Sequence, residues 1–288
     1  MNKYILLSLF SLYIPAAQAE TCEGLLGSEN YAKAAEIGRT DKNFAGLMCL
    51  GKVLSAQNKH NDALQSFTDA ENTAANGFEQ VMAVIFQARA NRDAGQTQQA
   101  YSQYQRGFEL AVTHKIRQGQ LVVLNEPGQM LLDAHDSKAA LERFQKASPL
   151  AANDNERAEV DELMAAAYRQ LADYDHAVEY QLRGTNLERR SGDLNHYLYA
   201  TLELAAIRTE AKEYNAAQKN IEEALDQAKS ANSSYWQAKT LLYQGRLEKA
   251  KGNANQAAVL FNQASTLAAT VGEPSLIGDI SQELKQGK

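Results

Sequence analysis

The chain has 288 residues, with 29 basic against 35 acidic side chains and a net charge of −6 at neutral pH. A general nucleic-acid binder needs a basic face, so this charge argues against one. Proline is scarce, and no segment alternates β-branched with polar residues, so the composition is that of an all-α protein.

The first nineteen residues have the features of an export signal. Lys3 supplies the positive end, an apolar run extends from Tyr4 to Ile14, and Ala17-Gln18-Ala19 is a cleavage site of small residues. The run is shorter than the ~20 residues of a membrane-spanning helix, so we expect cleavage rather than retention as an anchor. The mature chain would begin at Glu20, lack a transmembrane segment and be periplasmic or secreted.

The rest of the chain repeats one spacing of small and bulky residues six times. The small residue of a first helix is Gly51, Ala88, Gly128, Ala165, Ala205 or Gly245. The small residue that opens a second helix is Ala63, Ala100, Ala140, Ala177, Ala217 or Ala257. Four positions later the residue is Phe67, Tyr104, Phe144, Gln181, Ile221 or Phe261. Closely packed helices need small residues where they meet and a large one beside them, so the pattern predicts pairs of antiparallel helices.

This pattern resembles the tetratricopeptide repeat, and the segment from Ala165 to Ala177 is the nearest copy. The opening alanines are 37, 40, 37, 40 and 40 residues apart. The standard unit has ~34 residues, so each helix is expected to be about a turn longer. Where the family often has an aromatic residue in the first helix, this chain departs from it with Leu47, Val84, Leu124, Asp161 and Leu241.

The resemblance implies an all-α, right-handed superhelical solenoid of about six helix pairs with terminal capping helices. The expected segments are a signal peptide at 1–19, an N-terminal cap at 20–43, six repeats at 44–271 and a C-terminal capping helix at 272–288. Within the caps, Asn30 to Ile37 resembles a second helix, and Pro274 to Gln286 has the pattern of an amphipathic helix.

Catalytic and metal-binding motifs are not found in the sequence. The five histidines lack the helical spacing of a zinc site, and no glycine-rich phosphate loop is present. His135-Asp136 leaves open half of a catalytic pair, although a turn histidine is the simpler interpretation. We therefore expect a protein that is not an enzyme and that uses no cofactor and no metal.

Two local features call for an explanation. Cys22 and Cys49 are the only cysteines, and export would take them to an oxidising compartment, so a disulfide is expected. Pro127-Gly128 lies inside a predicted first helix, which should kink or restart there because proline removes a backbone hydrogen bond. This is either a tolerated local defect or a bend that shapes a binding groove.

By resemblance to the family, the first helices form a concave wall that binds a peptide or protein partner. We expect a scaffold or adaptor of the cell envelope, with a sensor or regulatory subunit as the alternative. The inward positions hold Lys52, Arg89, Arg92, Gln129, Arg169, Arg246 and Lys249, among the apolar Met48, Ile85, Leu202 and Leu242. The basic groups favour a partner with carboxylates. Alternatively, Asp93, Asp133, Glu162 and Glu210 neutralise them within the wall.

Overall fold

The computed structural model describes residues 21–286, which form fifteen α-helices, one short 3-10 helix and no strand. The expected signal peptide lies outside this range. The helices are α1 Cys22–Gly27, α2 Tyr31–Thr40, α3 Phe44–Ala56, α4 His60–Asn72, α5 Gly77–Asp93, α6 Thr97–Thr113, α7 Arg117–Asp133, α8 Ser137–Ala147, the 3-10 helix Ser148–Leu150, α9 Asp154–Gln170, α10 Tyr174–Ser191, α11 Leu194–Glu210, α12 Tyr214–Ser230, α13 Ser234–Ala250, α14 Ala254–Val271 and α15 Pro274–Gln286.

The fold class predicted from the sequence, an all-α solenoid of helix pairs, is confirmed. The chain divides into two compact units, Met1–Gly119 and Gln120–Lys288. None of the described helices is both long and apolar enough to cross a bilayer.

Polar side chains fix where several helices begin. Asn76 caps α5 by accepting a hydrogen bond from the Glu79 backbone N–H, and the Glu79 carboxylate accepts one from the Ala75 N–H. Asn153 and Glu156 repeat this arrangement at the start of α9. Each pair satisfies two backbone donors that the first helical turn would otherwise leave without partners.

The small and bulky columns pack against each other as the repeat pattern predicts. A Cβ placed on Gly51 would lie 2.3 Å from the Phe67 ring, and one on Gly128 would lie 2.4 Å from the Phe144 ring. Only a hydrogen fits at these contacts, because the ring lies directly on the facing backbone. The fourth pair differs, since Gln181 is buried in the bulky position and donates a hydrogen bond to the Ala200 carbonyl of α11.

The turn inside each helix pair contains one residue with left-handed backbone. These residues are Asn58, Gly95, His135, Ala172, Lys212 and Gly252. Each lies five positions before the opening alanine of the second helix, so the turns recur with the same spacing as the alanines. Only two of the six are glycine, the residue that adopts this conformation without steric cost.

The disulfide is present and joins α1 to α3, with Cα atoms 5.8 Å apart. Cys49 and Val53 of α3 pack there with Leu25, Ala34 and Ala35, so the cross-link lies in the core of the N-terminal helices.

Helix α7 does not restart at Pro127. It runs as one helix from Arg117 to Asp133, with the proline inside it. Of the two expected outcomes, a restart is therefore wrong and a kink stays a prediction; Gly128 packs against Phe144 as the equivalent glycines pack in other pairs.

Candidate binding surface on the first helices

Three of the predicted surface residues lie in the first unit, on α3 and α5. The Lys52 ammonium is 5.3 Å from the centre of the Phe86 ring, and the Arg89 guanidinium is 4.8 Å from it. Arg92, at the end of α5, is 3.0 Å from the Asp93 carboxylate in a pair whose two side chains are each more than one third exposed. Two cations thus lie close to one aromatic ring, which is a favourable electrostatic contact.

In the second unit, Arg169 of α9 binds two carboxylates of α11. Its guanidinium contacts both oxygens of Glu210, at 2.8 and 2.5 Å, and lies 3.0 Å from Glu203. Burial lowers the pKa of Arg169, but the hydrogen bond and charge of Glu210 and the charge of Glu203 outweigh it and raise the pKa above its ordinary value. The Tyr243 hydroxyl donates a further hydrogen bond to Glu203.

Arg246 and Lys249 of α13 share the carboxylate of Glu283 on α15. The two nitrogen–oxygen distances are 2.8 and 2.9 Å. Burial raises the pKa of Glu283, but the hydrogen bonds from Lys249 and Arg246 outweigh that effect and hold the pKa below the ordinary value. The last helix is therefore joined to α13 by charge as well as by apolar packing.

The remaining predicted residues differ in their environment. Gln129 donates a hydrogen bond to Asp133 one turn later, at 3.4 Å. The four apolar side chains expected on the wall are buried in the core instead, which makes them unable to touch a partner: Met48, Ile85, Leu202 and Leu242.

The aromatic side chains beside these basic residues were not predicted from the sequence. In the second unit the Lys239 ammonium lies 5.0 Å from the Tyr199 ring centre, 5.6 Å from Tyr235 and 5.2 Å from Trp236. Phe86 was missed in the same way. The spacing of Tyr235, Trp236 and Lys239 within one helical turn could have indicated the contact, because residues three and four apart are neighbours on a helix.

Glu162 is a buried carboxyl group on α9. Its Oε1 atom is enclosed and has no hydrogen-bond partner. Burial raises the pKa of Glu162 well above its ordinary value, and the charges of Glu188, Glu203 and Glu159 raise it further. The group is therefore protonated over a wider pH range than an exposed glutamate.

His135 and His176 lie in and beside the turns of their helix pairs. His135 is the left-handed residue of its turn, and the Asp136 carboxylate caps α8 by accepting a hydrogen bond from the Ala139 N–H. His176 lies 2.8 Å from Asp173 and stacks on Tyr168. Among residues 21–286, no three histidine, cysteine or acidic side chains are grouped to hold a metal ion.

Comparisons with known proteins identify the fold. No protein-family model and no curated protein matches the sequence. A signal transduction ATPase with numerous domains from Pyrococcus horikoshii, which has a tetratricopeptide repeat sensor, matches with a TM-score of 0.67 and 12% identity over 91% of this chain and 44% of its own. A tetratricopeptide repeat protein from Parabacteroides merdae matches with a TM-score of 0.58 and 16% identity over 91% of this chain and 97% of its own. A Rap protein complexed with the competence and sporulation factor matches with a TM-score of 0.57 and 13% identity over 85% of this chain and 74% of its own. The fold is that of the tetratricopeptide repeat proteins.

Proposed function

We propose that this protein is a periplasmic or secreted scaffold or adaptor that binds a peptide or protein partner through its first helices. The fold supports a binding role, since the Rap protein of similar fold was solved in complex with a factor. The disulfide supports an oxidising compartment outside the cytoplasm, consistent with an export signal at residues 1–19.

The observation that carries the proposal is the surface of α3 and α5 formed by Lys52, Phe86, Arg89 and Arg92, hereafter the basic-aromatic surface. Lys52 and Arg89 lie over the ring, and Arg92 follows one turn after Arg89. Guanidinium groups bind carboxylates through paired hydrogen bonds. An exposed ion pair such as Arg92–Asp93 has a small interaction free energy, so a ligand that replaces it loses little. The partner is therefore an acidic segment or a chain terminus.

The basic residues of the second unit are bound to carboxylates of the protein itself. Arg169, Arg246 and Lys249 each bind a glutamate of a neighbouring helix. A partner's carboxylate would have to replace those contacts before it gained its own. We assign these three residues to joining helices.

A sensor or regulatory subunit is the second candidate function. The tetratricopeptide repeat sensor of the Pyrococcus horikoshii protein has a similar fold, which supports it. In that case the same surface would bind the partner, and binding would also change the partner's activity.

The proposal predicts that Arg89→Ala/Arg92→Ala weakens partner binding more at low salt than at high salt, because salt screens exposed charges. Immobilised wild-type and variant proteins would be compared for the proteins they retain from an envelope extract, with identification by mass spectrometry. The purified partner would then be titrated at both salt concentrations. We expect at least about a tenfold loss of affinity at low salt, equivalent to about 1.4 kcal/mol.

The matched control is Arg39→Ala/Lys42→Ala, which removes the same charge from two exposed positions, one in the last turn of α2 and one two residues after its end. It should retain the partner as wild type does. Melting temperatures of both variants should stay near the wild-type value. Equal retention of every captured protein by wild type and Arg89→Ala/Arg92→Ala at low salt would exclude the basic-aromatic surface as the site.

A further inference from the structure

A cavity of about 500 Å³ lies beside α8, α9 and α10 in the second unit. Helix α8 has only 11 residues, compared with 17 or 18 for α6, α10, α12 and α14. Pro149 follows its end, and proline cannot donate the backbone hydrogen bond that would extend the helix. The shortened helix leaves open the space that Ser148 and Ala151 line.

Three arginines line this cavity from two helices. Arg157 comes from α9, and Arg183 and Arg190 come from one face of α10, two turns apart. Each of the three side chains is more than half exposed. The three guanidinium groups outnumber the two carboxylates that contact them, Asp154 and Asp161, so one positive charge is left over in a chain of net charge −6.

Two aspartates hold these arginines in place. Asp161 is 3% exposed and lies 3.2 Å from Arg183, in the helix position where the other repeats have Leu47, Val84 or Leu124. Asp154 lies 3.3 Å from both Arg157 and Arg190, and its side chain is 39% exposed. The two contacts of Asp154 are long and solvated. An incoming anion could therefore take the place of its carboxylate beside Arg157 and Arg190 at little cost in free energy.

The cavity also has an apolar wall. Ala151, which is partly exposed, and Leu187, which is 9% exposed, line it, whereas Val160 lies deeper at 1% exposure. A volume of this size is within the range of small-molecule sites, which combine apolar walls with a few polar groups. A ligand with a carbon body and an anionic end would satisfy both parts.

We infer that this cavity binds a small organic anion, whose carboxylate or phosphate group is held by Arg157 and Arg190 and whose carbon body lies on Ala151 and Leu187. The planar guanidinium fork matches both kinds of oxyanion. Arg183 stays bound to Asp161 and forms the inner wall. This site is separate from the basic-aromatic surface and does not depend on it.

The test titrates the full mature protein at constant ionic strength with succinate, glucose 6-phosphate and inorganic phosphate, followed by calorimetry and by thermal shift. We expect succinate or glucose 6-phosphate to bind with a Kd of about 1 mM or tighter, and inorganic phosphate to bind more weakly because it lacks a carbon body. The preferred probe identifies the anionic group. If neither organic anion binds in this range, or if inorganic phosphate binds as well as they do, the proposal is overturned.

Two variants locate the site. Arg157→Ala/Arg190→Ala should weaken binding by at least about tenfold, whereas Lys219→Ala/Lys229→Ala, which removes equal charge from exposed positions on α12, should not. Ala151→Trp keeps every arginine but fills the cavity, so it should abolish binding of the organic anion. Two results would show that the cavity is not the site. One is a loss of affinity in the α12 variant as large as that in the arginine variant, and the other is unchanged binding in Ala151→Trp.

Discussion

Glu162 shows how a single residue can tie the stability of the second unit to pH. The unfolded chain releases its proton near pH 4.5, whereas burial and the surrounding carboxylates keep it on the folded protein to higher pH. The folded state then binds more protons than the unfolded state, so stability falls as pH rises from about 4.5 toward the folded-state pKa. Glu188, buried nearby, has its pKa raised by burial as well.

We predict that Glu162→Gln raises the melting temperature at pH 7 and leaves it nearly unchanged at pH 4, where the carboxyl group is neutral in both states. Glutamine retains the shape of the glutamate side chain, and it removes the free-energy cost of a buried charge. A gain of about 1 kcal/mol would correspond to about 2–4 °C for a domain of this size.

Thermal melts of wild type and variant at both pH values measure the effect. Glu142→Gln, at an exposed position of α8, is the control and should shift neither melt. A lower melting temperature for Glu162→Gln at pH 7 would mean that the carboxylate is ionised and bound to a partner in the folded protein.

The turns between paired helices are stabilised unequally. Gly95 and Gly252 take the left-handed conformation without steric cost, but Ala172 has the same conformation with φ of 57° and a Cβ atom. An alanine in this region costs roughly 1–2 kcal/mol. The strain is held by the hydrogen bonds on either side, from Ala172 N–H to the Arg169 carbonyl and from Asp173 N–H to the Tyr168 carbonyl.

We predict that Ala172→Gly stabilises the second unit by about 0.5–1 kcal/mol, the steric relief less the larger entropy of glycine in the unfolded chain. Urea denaturation followed by circular dichroism would detect a higher midpoint. The matched control is Ala166→Gly inside α9, which should destabilise by about 1 kcal/mol because glycine is a poor helix former. A lower midpoint for Ala172→Gly would refute the proposed strain.

Across the whole chain, the disulfide is the one covalent link between distant helices among residues 21–286. It closes a loop with a sequence separation of 27, which is worth roughly 3 kcal/mol when its effect is to restrict the unfolded chain. We predict that reduction lowers the melting temperature of the first unit. Calorimetry with and without reductant measures the change, and Cys22→Ala/Cys49→Ala should melt at the reduced value and ignore the reductant.

A thiol count provides the independent check on this bond. Unreduced protein, denatured before labelling, should show no free thiol. Two labelled thiols would mean that the cysteines are not paired in solution.

The fold could be predicted from the sequence because it depends on contacts of fixed spacing. Gly51 and Phe67 meet in one pair, and Gly245 and Phe261 meet in another at the same spacing, so the pattern is visible in the sequence. The C-terminal helix also follows a local signal, since α15 begins at Pro274 as predicted.

The binding surface could be predicted only as a set of basic positions. Whether Arg169 binds a carboxylate depends on Glu203 and Glu210, which lie 34 and 41 residues away and whose side-chain conformations no local pattern fixes. The cavity likewise required the early end of α8 and the convergence of side chains from two other helices. Such contacts follow from the packing of the folded chain, not from the repeat.

The lengths of the helices determine where the protein can gain or lose residues. From α5 onward, each first helix has 17 residues. The second helices vary, and the two short ones, α4 and α8, occur where the repeat is 37 residues long instead of 40. These helices are four and six residues shorter than the 17 residues of α6, and the segments that follow them make up part of the length, so the repeat is shorter by only three. Differences in repeat length are thus confined to the second helices and the segments after them, while the first helices from α5 onward keep one length.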